Sequence, residues 1–577
     1  MISIGWTLEA SQTVGVRSRS ADVAARVAVN LVALAIVAFM VWIAGRYYAT
    51  RLPPGDMARN MSIVLRAGEL ADTAGFRTAF RFAANEDIYV LHSLVSVLLH
   101  PVLPQSFASG PALNAIWYLI AINVLFTVFL RDTGSAASAV WLALPPAIFM
   151  PAMSTTRYGF TGLDANLLAY LLACAVFGAV ILSDGLADRR WAAAAGALFG
   201  CLVLGRLQSS VIVAVAIAPF LAAPLLTPSR RRIGALGLAV FTGAALVVCG
   251  GWLAAGLRKH WTYYSSIATA PGQSFEASYG GGLRVLGHAL DVWFRSNVAT
   301  GLCWVLLSWI AAREIFSAEP SRALLRRVDW ARLWLFVGPL AALAAARPSQ
   351  EVYAFPAYVG LYLFATKPFR ASPLGSVFGN RRYMMLFAAA VSVALASFLA
   401  NTISAHASDP GVNRQEARAL LQPIVDDSRC RVPHSEIRVT VTYYTGLTDH
   451  NVVNSLLVDA KQPSVQADRP PHLEVEQARC VVNVLLDTYM GPPPLWGKID
   501  STVTARRAAR LLQSTDYATV LTPGDPANYT DHPSARYHPQ WLDLSRRLLE
   551  SGCWTAVGPP RTIMPVESAT LLRRTCR

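Results

Sequence analysis

Long apolar runs separated by short, Arg-rich breaks dominate the chain. They predict membrane-spanning helices, because about 20 apolar residues suffice to cross a bilayer. The runs lie near 27–48, 112–130, 135–153, 163–183, 191–207, 209–227, 233–256, 296–312, 331–346, 352–366 and 383–400. The fold expected is a polytopic α-helical membrane protein with about 11 transmembrane helices. The first run, from about Val27 to Tyr48, lacks a small-residue cleavage pattern, so it predicts a retained helix starting inside. Pro145, Pro146, Pro151, Pro219, Pro224 and Pro356 predict kinks or broken ends.

Two segments break this pattern. The first, 49–111, is mixed. Asp56–Leu70 and Ile88–Leu99 predict amphipathic helices, the second carrying Ile88, Leu91, Val95 and Leu98 at helical spacing. Such helices lie flat at an interface. Asn85-Glu86-Asp87 reads as a cap before the second of them. The other segment, 401–577, alternates strand-like runs (Ile437–Tyr444, Val481–Leu486, Ala518–Leu521) with helix-like runs (Arg414–Ile424, Val503–Gln513, Gln540–Ser551). A C-terminal α/β domain is expected there.

Composition agrees with the pattern. The 577 residues are 54% hydrophobic and only 15% charged, which excludes an ordinary soluble protein. The net charge of +15 does not point to nucleic acid, since much of it sits in short clusters between the runs. Arg189-Arg190, Arg230–Arg232, Arg313, Arg322, Arg326, Arg327, Lys367, Arg370, Arg381 and Arg382 all fall on the side of the N-terminus. The positive-inside rule makes that side cytoplasmic. Residues 1–26 are then a cytoplasmic N-terminus, 27–400 the transmembrane domain with a first outer loop at 49–111, and 401–577 an extracytoplasmic C-terminal domain. Cys430, Cys480, Cys553 and Cys576 lie in that last region and suggest two disulfides in any of three pairings, or free thiols if the region is cytoplasmic. Ala- and Arg-rich usage suggests a bacterial plasma (inner) membrane.

The candidate chemistry lies at the outer ends of the runs. Arg51-Leu-Pro-Pro-Gly-Asp56-Met-Ala-Arg59 places one carboxylate at the membrane surface, where it can act as a general base or simply pair with an Arg. Arg157, Tyr158 and Asp164 bracket the start of the fourth run, and Arg206 and Gln208 join the fifth and sixth. His260 follows the seventh, beside Trp261, Tyr263 and Tyr264; Arg347 and Glu351 join the ninth and tenth. Snorkelling accounts equally for Arg206 and Arg347, and an aromatic belt for His260. As a set, the cations can bind a lipid phosphate while the carboxylate deprotonates an acceptor hydroxyl. No nucleotide-binding loop, HExxH or GxSxG is present.

A first run followed by an acidic residue in a long outer loop, Thr161-Gly-Leu-Asp164 opening the fourth run, and Leu204-Gly-Arg206-Leu-Gln208 together resemble the GT-C class of polytopic glycosyltransferases. Thr161-Gly-Leu-Asp164 is similar to the pattern of the arabinofuranosyltransferase branch. The resemblance implies an inverting transfer from a polyprenyl-phosphate-linked sugar donor to a cell-envelope glycan or glycolipid, with the bilayer as partner and no nucleic acid. It makes Asp56 the base, Arg206 a donor-phosphate contact and Asp164 a residue orienting the sugar or the base. Many members carry two adjacent acids in the first loop; here Gly55 and Met57 flank Asp56, and a divalent metal stays an open cofactor. The alternative is a transporter or flippase, but internal repeats are absent and the charges gather at one face.

Overall fold

The computed structural model describes residues 19–52, 55–85, 90–103, 105–152, 159–269, 329–345, 355–366, 381–408, 412–428, 430, 437–441, 444–445, 464–466, 480–484, 487–488, 516–523, 550–564 and 567–576. Ten of the predicted apolar runs are helices: α1 (Arg19–Thr50), α5 (Gly110–Thr133), α6 (Ala136–Ala152), α7 (Ala165–Leu182), α8 (Arg189–Gly205), α9 (Leu207–Leu226), α10 (Arg231–Thr269), α11 (Trp330–Ala345), α12 (Phe355–Ala365) and α13 (Arg381–Ser408). The run at 296–312 lies outside the described residues. By length and composition, six stretches among the described residues can cross a membrane: Ser20–Thr50, Phe107–Thr133, Ala165–Leu182, Leu207–Leu226, Arg231–Gly256 and Met385–Ala407.

Helix α7 is the axis of the bundle. Every residue from Leu167 to Leu182 is buried, against α5, α8, α9 and α12. Glycines let neighbours approach closely, as between membrane helices generally. A Cβ on Gly196 of α8 would lie 2.0 Å from the Phe241 carbonyl oxygen of α10, and one on Gly360 of α12 would lie 2.2 Å from the Leu335 carbonyl oxygen of α11.

One end of the bundle is tied by ions. Arg332 at the start of α11 grips the Asp132 carboxylate at the end of α5 with both terminal nitrogens, Nη2 donating to Oδ1 at 2.9 Å. Arg332 Nη1 also donates to the Leu363 carbonyl of α12 at 3.2 Å. Both side chains of the pair are about 5% exposed or less. Arg131 donates to the Ile181 and Leu182 carbonyls at 3.0 and 3.2 Å, closing the end of α7.

The polar stretches between and after the spans depart from the expected pattern in three places. Among the described residues, the segment 49–111 holds three α-helices after α1, not two: α2 (Gly55–Ala74), α3 (Phe76–Asn85) and α4 (Val90–Leu99). Helix α3 puts Ala79 and Ala83 inward and Phe76 and Phe80 outward. The loop expected from 257 begins as helix, because α10 continues to Thr269. Helix α13 likewise runs to Ser408, past the boundary expected at 400.

At the other end, β1 (Arg51–Leu52) pairs antiparallel with β2 (Val412–Asn413), which leads into α14 (Arg414–Asp426). Asn413 caps α14, accepting from the Gln415 and Glu416 amides at 3.0 and 3.2 Å. Arg414 donates to the Tyr48 carbonyl at 3.1 Å and stands over the Phe107 ring. The remaining strands are β3 (Ile437–Val441), β4 (Tyr444–Thr445), β5 (Ser464–Gln466), β6 (Cys480–Val484), β7 (Asp487–Thr488), β8 (Tyr517–Pro523), β9 (Trp554–Ala556), β10 (Arg561–Met564) and β11 (Glu567–Arg574). A mixed sheet runs in the order β10-β11-β8-β6-β3-β5, with β9 also on β11. Its β8, β6, β3 and β5 are parallel, and β11 is antiparallel to its neighbours. A single apolar cluster joins Tyr48, Leu52 and Met57 to Leu420, Ile424, Tyr517 and Leu571, so the sheet shares a core with the α1–α2 corner. Cys553 and Cys576 form a disulfide, and Cys430 is disulfide-bonded as well.

Candidate functional site

The turn Gly159–Asp164 is where the helices of this end meet. Gly162 is packed so closely that a Cβ there would lie 2.5 Å from Met57 Sδ of α2. One turn further along α2, buried Asn60 donates to the Leu163 carbonyl at 2.7 Å. From α5, Asn114 donates to the Phe160 and Gly162 carbonyls at 3.0 and 2.7 Å. These bonds satisfy backbone oxygens that burial would otherwise leave unpaired.

His92 of α4 completes this arrangement. Its Nε2 lies 3.2 Å from Asn114 Oδ1. Both Asn114 donors go to carbonyls, so Oδ1 accepts and Nε2 carries the proton. The imidazole is therefore neutral, with a bare, buried Nδ1. Burial pulls its pKa down to about 4, against a smaller upward pull from the Asn114 bond. The sign follows directly. Above pH ~6.5 the ring is neutral in both folded and unfolded chains; between there and about 4 only the unfolded chain takes the proton. Stability should thus fall as pH drops through that window, by ~3 kcal/mol in all, and level off below it. Thermal midpoints in detergent across this range should show the slope, and His92→Gln, which keeps a donor for Asn114, should flatten it.

Asp164 is the N-cap of α7 and accepts from the Asn166 amide at 2.8 Å. Asn166 Oδ1 in turn accepts from Arg206 Nη1. Arg206 occupies the extended joint where α8 ends and α9 begins, with φ −164°, and its amide donates to the Leu202 carbonyl. Gln208 follows in the first turn of α9, half-buried. From α13, His406 accepts the Thr161 hydroxyl at Nε2 (3.0 Å), since its Nδ1 faces the Thr402 carbonyl at 2.8 Å. The Tyr47 ring stands edge-on to His406.

Asp56 and Arg59 lie in the opening turns of α2, on either side of the Met57 that seals Gly162. Of the sequence candidates, Asp164 and Arg206 are linked through Asn166 beside this turn, while Asp56 and Arg59 are placed only by their positions on α2 and Gln208 by its position on α9. His260 is placed within α10, not in a loop after it. Arg157, Tyr158, Arg347, Glu351 and the proposed cap at Asp87 lie outside the described residues. Sequence reasoning missed Asn60, His92, Asn114 and His406. Each is a polar residue in an apolar or amphipathic helix, a placement that by itself marks a residue with a partner to find. Among the described residues, no three His, Cys, Asp or Glu side chains gather as metal ligands. The corner thus gathers a guanidinium and side-chain amides, groups suited to holding an anion.

No protein-family model matches the chain, and no curated protein matches it by sequence. Solved structures do match in fold. ArnT from Cupriavidus metallidurans, whose crystal structure has undecaprenyl phosphate bound, aligns with a TM-score of 0.52 at 12% identity, over 94% of this chain and 97% of ArnT. Arabinofuranosyltransferase AftD from Mycobacteria, seen by cryo-EM, aligns with a TM-score of 0.53 at 14% identity, over 96% of this chain. The chain spans about 40% of AftD's length. The architecture they share with this chain is the GT-C-like fold of membrane glycosyltransferases.

Proposed function

We propose that this chain is an inverting membrane glycosyltransferase that moves a sugar from a polyprenyl-phosphate carrier to an extracytoplasmic cell-envelope acceptor. The observation that carries this reading is the corner itself: the helix start bearing Asp56 is held, through Met57 and Asn60, against the turn whose end is chained through Asp164 and Asn166 to Arg206. The fold shared with ArnT, which binds undecaprenyl phosphate, supports the carrier class.

In this reaction Asp56 takes the proton of the acceptor hydroxyl. The hydroxyl oxygen attacks the anomeric carbon from the face opposite the phosphate. The bond from that carbon to the phosphate oxygen breaks, and polyprenyl phosphate leaves with the electron pair. Arg206 faces the growing negative charge, where a charged donor is most effective. Asp164 acts at one remove, through the Asn166 that orients Arg206. The C-terminal sheet lies outside with this corner, in a plasma membrane whose inner face carries the Arg clusters.

The test is transfer by the purified chain from a panel of radiolabelled polyprenyl-phosphate sugars to a cell-envelope acceptor fraction. The expected product has the opposite anomeric configuration to the donor. Arg206→Gln should raise the KM for donor about 10-fold, the loss of one charge-assisted contact. Failure of every donor, with no release of free polyprenyl phosphate, would count against the reading.

A further inference from the structure

The opposite end of the bundle holds a cation with no counter-charge among the described residues. Arg26 of α1 donates to Asn123 Oδ1 at 3.4 Å and Thr127 Oγ1 at 3.1 Å, both on α5, and lies over the Phe126 ring. Asn30 and Asn123 exchange hydrogen bonds at 3.1 and 2.7 Å beside it. Every partner is neutral; among the described residues no carboxylate pairs with Arg26.

Depth makes this unusual. Thr127 stands five residues before Asp132 on α5, roughly 7–8 Å of helix inward of the Asp132–Arg332 ion pair. An ionised side chain at such a depth is costly unless something compensates it, and is a site by default. Beside it runs an open groove of about 280 Å³, walled by Val23, Val27, Leu31 and Leu34 along with Arg26 and Asn30. The four aliphatic residues are each about half exposed, which is expensive anywhere but in lipid. From Val23 to Leu34 the groove follows α1 for roughly 16 Å, close to half of the ~30 Å hydrocarbon thickness.

We propose that this groove seats one anionic glycerophospholipid of the cytoplasmic leaflet, its phosphate on Arg26 and one acyl chain along Val23, Val27, Leu31 and Leu34. Charge complementarity selects the head group. Arg26 retains donors beyond the two it spends on α5, and a phosphate supplies the negative charge its neutral partners lack. The groove's length of one leaflet selects an acyl chain over a second transmembrane helix, which would need a face running the full thickness. The proposal is independent of the transfer reaction, which lies at the other end of the bundle.

The experiment titrates the detergent-purified full chain with dioleoyl phosphatidylglycerol or dioleoyl phosphatidylcholine and counts bound lipids by native mass spectrometry. One phosphatidylglycerol should be retained at least 10-fold more tightly than phosphatidylcholine, and Arg26→Gln should erase that preference. In parallel, Val27→Cys labelled with bimane should be quenched by phosphatidylglycerol with brominated chains, and adding Arg26→Gln should remove the quenching. Equal retention of both lipids, an undiminished preference in Arg26→Gln, or no quenching would overturn the site. So would disulfide-linked dimers of unlabelled Val27→Cys in the membrane at high yield, which would put a second copy in the groove.

Discussion

Asp56→Asn should lower the rate of sugar transfer by ~10²–10⁴-fold, the usual contribution of a positioned general base. The amide is close in shape to the carboxylate but cannot take the acceptor proton. Donor binding should change little, because the cation assigned to the phosphate is Arg206 and not a neighbour on α2. A fall in kcat at constant donor KM is therefore the expected signature, read in the same transfer assay with folding checked by the unchanged thermal midpoint. Equal rates for the two proteins would leave the corner in place but move the base elsewhere. A loss of folding would point to a purely structural role for the start of α2, which Asp56→Glu would then separate from chemistry by keeping the charge.

The second large effect is on stability. Removing one partner of a buried ion pair strands the other, at a cost of about 3–5 kcal/mol. Arg332→Ala should cost this much, since it leaves Asp132 buried and also strips a donor from the Leu363 carbonyl. Asp132→Ala should cost somewhat less, because Asp329 still lies 3.6 Å from the Arg332 Nε. Replacing both by Leu should recover much of the loss, as removing both charges leaves no stranded ion. Thermal midpoints of Arg332→Leu, Asp132→Leu and the double variant, followed by tryptophan fluorescence in detergent, measure the coupling. A double variant as unstable as the sum of the singles would mean the two residues act separately.

The bundle was legible because hydrophobic runs of helix length have few alternatives in a membrane. Asp56 and Arg206 stood out for a related reason: ionisable groups at the ends of such runs are rare enough to notice. Helix α3 escaped because it is short and its fully buried residues are only Ala79 and Ala83, with Phe82 partly buried beside them. Strand β11 escaped because Glu567, Ser568, Thr570, Arg573 and Arg574 leave little alternation to see. The links around Gly162 were hidden for a deeper reason. Asn60 reaches Leu163, and Thr161 reaches His406, across separations of 103 and 245 residues. No local pattern encodes such pairs, which exist only once the helices have packed.

The two-residue ladder between Arg51–Leu52 and Val412–Asn413 has a consequence for how the protein is made. Its halves are translated far apart, with helices α2–α13 made between them. Until the later half has been translated and delivered to the same side of the bilayer, the strand that leads towards Asp56 has no edge to pair with, and Tyr48 has no Arg414 at its carbonyl. The ladder thus closes only after α13 has been made, and a chain released before then carries an α1–α2 junction that is still open.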